Sequence, residues 1–255
     1  MRLGEGIGRE AVRGFTLSVL LEACGRDVAG LRDAAILSLG YDAGLRVSEL
    51  VAVAVELMEA QEDGSGLLEV PHSKTDQEGQ GAWVWLSPDT MRRVALWREA
   101  ASIRAGALFR RVAVIRTKPR EARRALAIED LAYHARVDRE RMAARPARAA
   151  TVTYGIGERA LTPAAMRLII KRTALAAADQ GLVDLMGADL DHAIDALSTH
   201  SLRVGLTQDL FANGEDAGPI AQALRWTSTA TALRYGRKLA PSSNAAARML
   251  KGVRK

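Results

Sequence analysis

Apolar residues recur at helical spacing through most of the chain, and extended runs break that rhythm in the first half. Thr16 is placed to cap a helix carrying Leu17, Val19, Leu20 and Leu21, with Gly25 closing it. A longer helix is predicted from Val28 to about Ala43, with Leu31, Ala34, Ala35, Leu37 and Leu39 inside and Gly44 as the breaker. Ser48 to Leu57 reads as another short helical run. Leu67-Leu68-Glu69-Val70 and Ala82-Trp83-Val84-Trp85-Leu86 flank the turn-rich stretch 73–81 and predict a hairpin. Ser87-Pro88-Asp89 then starts a helix through Met91, Val94, Leu96 and Trp97, and Thr162-Pro163 opens another over Ala164 to Gln180. Leu202, Leu206, Leu210 and Phe211 mark a further helix stopped by Asn213-Gly214, followed by an amphipathic run through Ile220 and Leu224. The sum is a mainly α chain with a small antiparallel β-sheet.

Composition agrees with that reading. Aromatic residues make up only 4% of 255 residues, while 48% are hydrophobic, enough for one large domain or two small ones. The single cysteine, Cys24, excludes a disulfide framework or a thiolate metal site and suits a reducing cytosol. No apolar run reaches the length of a membrane span, and the N-terminus lacks the apolar core of a signal peptide.

The net charge of +6 permits a nucleic-acid partner, and its distribution is more informative. From Arg104 to Arg148 there are 13 Lys and Arg against 5 Asp and Glu, so the remainder is mildly anionic. The stretch of about 113–157 has two readings, an inserted helical excursion lying along DNA or a flexible basic loop, with helix most plausible around Glu129 to Met142. Asp184, Asp189, Asp191 and Asp195 lack the spacing of a calcium loop and read as solvated helix caps.

The candidate chemistry centres on Thr199-His200-Ser201-Leu202-Arg203. Three residues apart, His200 and Arg203 project from one helix face, where both can meet one anionic group. Alone such a pair is usually solvated surface. With Gly44-Leu45-Arg46-Val47-Ser48-Glu49-Leu50 upstream and Trp226 and Tyr235 downstream, however, the order resembles the tyrosine recombinase (phage integrase) family. The resemblance is closest to the Cre recombinase branch, in which tryptophan stands where most members carry a second histidine.

The resemblance implies the catalytic-domain fold of that family, a DNA breaking-rejoining enzyme, and site-specific recombination through a 3′-phosphotyrosyl intermediate. By resemblance, Tyr235 is the nucleophile, Arg46 and Arg203 neutralise the phosphate, and His200 is the general base and acid. Lys74 in the hairpin turn is the acid for the leaving 5′ oxygen, Trp226 hydrogen-bonds the phosphate, and Glu49 supports Arg46. It further implies double-stranded DNA as partner, a tetramer on DNA, no membrane, and no cofactor or metal. The corresponding place is the cytoplasm of a bacterial or phage-infected cell, at the nucleoid. Two alternatives share parts of this reading: a type IB topoisomerase-like nicking-closing enzyme and a non-catalytic DNA-binding protein that kept the fold.

The domain expectation is a linker or tail over 1–13, a catalytic domain over 14–240 with the basic insertion at about 113–157, and a tail helix over 241–255. Ala246, Met249, Leu250 and Val253 give that tail an apolar stripe, and the resemblance implies that it docks in a neighbouring protomer. Arg46 lies too near Met1 for the N-terminal clamping domain usual in the family, so the chain is expected to be the catalytic part of a longer protein, the alternative being a minimal form that clamps DNA from one face only.

Overall fold

The computed structural model describes residues 14–71, 81–127, 142–236 and 249–250. It divides into two compact units, Met1–Arg111 with Glu158–Lys255, and Val112–Gly157. The expected N-terminal linker, and the tail helix apart from Met249 and Leu250, lie outside the described residues.

In the larger unit, Thr16 caps α1 (Leu17–Ala23) by accepting the Val19 N–H, and Asp27 caps α2 (Val28–Asp42) by accepting that of Gly30. α2 is buried along most of its length, from Arg32 through Gly40, because it packs against α1 and three later helices. A helix apolar on every side is the sequence expression of that central position. Two ionic residues interrupt it. Arg32 donates to Asp33 Oδ1 at 2.7 and 2.9 Å, and Arg172 completes Asp33 from the other side. A buried carboxylate so paired avoids the several kcal/mol that an isolated ion would cost at order of magnitude.

After α3 (Val47–Ala52) the chain departs from the expected helix. Ala54 forms an antiparallel bridge with Ala107, while Leu108 N–H donates to Val53 and Val55 N–H to Gly106. These long-range bonds pull the backbone out of helix, leaving one 3₁₀ turn at Val55–Leu57 and a short edge strand, β1 (Met58–Ala60). β1 pairs with β2 (Gly66–Val70), which pairs with β3 (Ala82–Leu86), all antiparallel. Leu68 opposite Val84 faces the core, while Trp83 and Trp85 stand on the open face.

Ser87 caps α4 (Pro88–Ala100), and its N–H and hydroxyl both donate to Asp42 at the end of α2. α5 (Pro163–Asp179) begins with Thr162 as cap, and α6 (Gly187–Ala196) includes Asp195, which pairs with Lys171. α7 (Thr199–Ala212), α8 (Ala217–Ala223) and α9 (Thr229–Tyr235) close the unit around Phe211, Ile220, Leu224 and Ala232.

The described parts of the basic stretch, 112–127 and 142–157, form paired extended backbone rather than helix or flexible loop. β4 (Arg110–Thr117) and β5 (Thr151–Ala160) pair as a two-stranded ribbon, and bridges at Arg120–Arg148 and Arg123–Arg145 extend it. The β-branched residues Val112, Val114, Ile115, Thr151, Val152 and Thr153 favour extended backbone, and Pro119 and Pro146 oppose helix. The helix anticipated at Glu129 to Met142 falls almost wholly on 128–141, outside the described residues.

The α1–α2 connection gives a stability test. A Cβ at Gly30 would overlap the main-chain carbonyl of Gly25, whereas one at Gly218 in α8 meets nothing within 4 Å. Gly30→Ala is expected to lower stability by about 1–3 kcal/mol, and Gly218→Ala to leave it unchanged or raise it. Urea midpoints at constant slope measure both.

Candidate active site

Ser198 and Ser201 form a capping box at the start of α7, which places His200 in its first turn and Arg203 one turn further in. Arg203 is 2% exposed. Its Nη1 donates to the Gly44 carbonyl at 2.6 Å, and its Nη2 donates to the Leu224 carbonyl. Those acceptors sit at the C-terminal ends of α2 and α8, where unpaired carbonyls carry partial negative charge. One guanidinium thus ties together two helix ends. Gly44 has φ +51°, and a Cβ there would collide with Leu224, so both the turn and the close approach require glycine.

The α2–α3 turn delivers Arg46. Its N–H and Nη1 donate to the two oxygens of Glu49 at 2.9 and 2.8 Å, and its side chain remains 28% exposed. Glu49 Oε2 also accepts Arg225 Nη2 at 3.0 Å, while Arg225 Nη1 donates to the Ala43 carbonyl. Burial pushes the Glu49 carboxyl pKa up, but the hydrogen bonds from Arg46 and the charge of Arg225 outweigh it and hold the pKa below the usual range.

Arg225 was not singled out by sequence reasoning. It follows the C-cap of α8 with φ +54°, its N–H bonded to the Gln222 carbonyl and that of Trp226 to Ala221. This is a Schellman ending, whose left-handed position is normally filled by glycine. Holding arginine there costs about 1–2 kcal/mol, offset by its bonds to Glu49 and Ala43. The signal was present in the sequence, as an arginine where turn chemistry calls for glycine.

The same turn fixes Trp226. Its ring stacks on Tyr235 with centroids 5.5 Å apart and planes 12° off parallel, and Arg203 Cζ lies 5.1 Å from the indole centroid. Tyr235 ends α9, and Gly236 after it lies so close to the Phe211 ring that any Cβ would collide. The phenol oxygen lies 3.0 Å from His200 Nε2. Partial burial, then the charge of Arg203, push the His200 pKa down, so the imidazole is neutral at pH 7 and able to accept the phenol proton. Burial, then the charges of Arg46 and Arg225, lower Arg203 to about 10, which leaves it cationic.

Arg46, Glu49, His200, Arg203, Trp226 and Tyr235 are therefore one contiguous cluster, to which the structure adds Arg225. Lys74 falls in the connection between β2 and β3 and lies outside the described residues. Three guanidiniums surround one carboxylate, which bonds Arg46 and Arg225 while Arg203 bonds only main-chain carbonyls, and this excess positive charge suits a bound anion.

Solved structures with the same architecture are the XerA recombinase, at 16% identity and TM-score 0.52, covering 94% of this chain and 61% of that one. XerH site-specific recombinase bound to palindromic difH substrate in a post-cleavage complex matches at 14% identity and TM-score 0.54, covering 92% and 51%. Its pre-cleavage complex with difH matches at 13% and 0.52, covering 90% and 50%. The chain has the tyrosine recombinase fold. It spans between half and about three-fifths of the length of these proteins. The sequence matches no family model and no curated protein.

Because the folded pKa of Glu49 is depressed, its contribution to stability is fully present above its ordinary value of 4.5 and is lost as pH falls through the folded value. Glu49→Gln is expected to reduce the loss of stability across that acid window, and denaturant midpoints measured from pH 6 downward test it. An acid loss as large in Glu49→Gln as in wild type would contradict the assignment.

Proposed function

We propose that this chain breaks and rejoins duplex DNA at a specific site through a 3′-phosphotyrosyl intermediate on Tyr235. The observation that carries the reading is the 3.0 Å approach of His200 Nε2 to the Tyr235 hydroxyl beside the arginine cluster. XerH, which shares the fold, is captured on its difH substrate before and after cleavage, and that supports a DNA substrate here.

A phosphodiester repels nucleophiles and has a poor leaving group. Arg46 and Arg203 are assigned to the non-bridging oxygens, where fixed positive charge stabilises the trigonal-bipyramidal transition state more than the ground state. Neutral His200 takes the phenol proton as Tyr235 Oη bonds to phosphorus, and the bond from phosphorus to the 5′ oxygen breaks. Lys74 is assigned to protonate that oxygen. Trp226 keeps the phenol in place by stacking on it. In the reverse direction a 5′ hydroxyl gives its proton back to Lys74 as it attacks phosphorus, the bond from phosphorus to Tyr235 Oη breaks, and protonated His200 returns the proton to the departing phenolate. The phosphotyrosyl bond conserves the energy of the diester, so the cycle needs no ATP. Strand exchange between sites requires self-association on DNA, proposed here as a tetramer in a cytoplasmic setting.

A duplex carrying a nick just downstream of the cleaved phosphate, which loses the short fragment bearing the 5′ hydroxyl, is expected to trap a covalent protein-DNA adduct visible on a denaturing gel. Tyr235→Phe abolishes the adduct while retaining DNA binding, and a wild-type chain that never forms it on its own site would leave only the DNA-binding reading. Relaxation of supercoiled plasmid without strand exchange would favour the nicking-closing reading.

His200→Ala is expected to slow adduct formation by about 10²–10⁴-fold. For wild type the rate falls on acidification with a midpoint below 6.5, since His200 must be neutral to accept the proton. His200→Ala lacks that acid limb, and single-turnover rates from pH 5 to 8 measure it.

A further inference from the structure

The unit Val112–Gly157, whose described part is a two-stranded ribbon, takes no part in the chemistry above, yet it holds most of the protein's excess charge. Over 112–157 there are 10 Lys and Arg against 5 Asp and Glu, so without this unit the chain is close to neutral. Reciprocal backbone hydrogen bonds of 2.8–2.9 Å set Arg120 opposite Arg148 and Arg123 opposite Arg145. Residues directly opposed across an antiparallel pair project to the same side, and like charges there destabilise the pairing.

Nor does the ribbon have a core of its own. Its sheet has two strands, and Val114, Ile115 and Val152 are exposed. A two-stranded ribbon is marginal in water. An extended ribbon in a unit with a net charge of +5 suits a partner that carries negative charge along a line. β4 over Arg110–Thr117 reaches roughly 26 Å at ~3.3 Å per residue, a large part of the roughly 34–36 Å turn of a duplex, and the bridges at Arg120–Arg148 and Arg123–Arg145 keep the two backbones together beyond it. A two-stranded ribbon is also one of the elements that a major groove admits.

We propose that this ribbon is a second duplex-DNA contact, lying along a groove with its opposed arginine pairs on the flanking phosphates and contributing affinity without sequence preference. The inference rests on the DNA reading of the active site, but its test is independent of cleavage. In the full chain, Arg120, Arg123, Arg145 and Arg148 are replaced together by Gln, and in a second variant by Lys. Binding to a random-sequence duplex is followed by fluorescence anisotropy between about 50 and 200 mM salt, with circular dichroism to verify the fold.

Each lost phosphate contact reduces the slope of log affinity against log salt by about 0.9, so the Gln variant is expected to show a slope shallower by three to four. Its affinity at the lower salt falls at least tenfold, and the Lys variant keeps most of both. Adduct formation on the nicked duplex at saturating protein persists in the Gln variant, which separates the ribbon from the catalytic proposal. An unchanged slope in the Gln variant overturns the inference. So does an unchanged slope accompanied by loss of self-association, which would make the ribbon a contact between copies of the chain. If wild type forms no adduct while the slopes differ as expected, the catalytic reading fails and the ribbon assignment stands.

Discussion

Arg203 bonded to the main-chain oxygens of Gly44 and Leu224 is the constraint on which the site depends. Its charge is taken out of water, a cost that would be prohibitive without partners. Two helix C-termini supply those partners, since their last carbonyls need donors and carry partial negative charge. The exchange satisfies both sides. It also sets the α2–α3 turn, which bears Arg46, against the α8–α9 turn, which bears Trp226. Gly44 permits this because it has no Cβ to strike Leu224 and adopts a left-handed backbone.

Around that tie the electrostatics are deliberately unbalanced. Glu49 serves Arg46 directly and Arg225 from the other side, so one carboxylate orients two guanidiniums while neutralising only one charge. The remaining repulsion is visible in the lowered pKa of Arg203, to which Arg46 and Arg225 both contribute after burial. A site of this kind is preorganised for an anion, with the reorganisation completed during folding. The left-handed arginine at 225 belongs to the same logic, since its backbone strain is balanced by contacts that only a long cationic side chain can make.

His200 and Tyr235 occupy the outer side of this arrangement. They come from the start of α7 and the end of α9, and their separation is fixed by packing beneath them, Leu202 in one cluster and Phe211 against Gly236 in the other. Trp226 joins the layers, touching the buried arginine and the phenol together. Depressed basicity at His200 follows from this placement, because the imidazole is partly removed from water next to a cation.

The helices with local caps were legible from the chain: Thr16, Asp27, Ser87 and Thr162 each satisfy a backbone donor within three residues, so sequence alone locates where those helices begin. The order of Arg46, His200, Arg203, Trp226 and Tyr235 was equally legible as a group, and the fold brings those side chains into one cluster. Sequence could not reveal β1, which exists because residues 53–55 pair with 106–108, nor the ribbon, whose arginine and alanine content masked its β-branched strands. It also left Arg203 as a face residue, when tertiary contacts bury it against carbonyls contributed from 159 and 21 positions away. Caps and turns are decided by neighbours along the backbone and are therefore written in the sequence. Burial, the alignment of a guanidinium with two helix ends, and the approach of an imidazole to a phenol depend on which distant segments meet, and only the folded chain decides that.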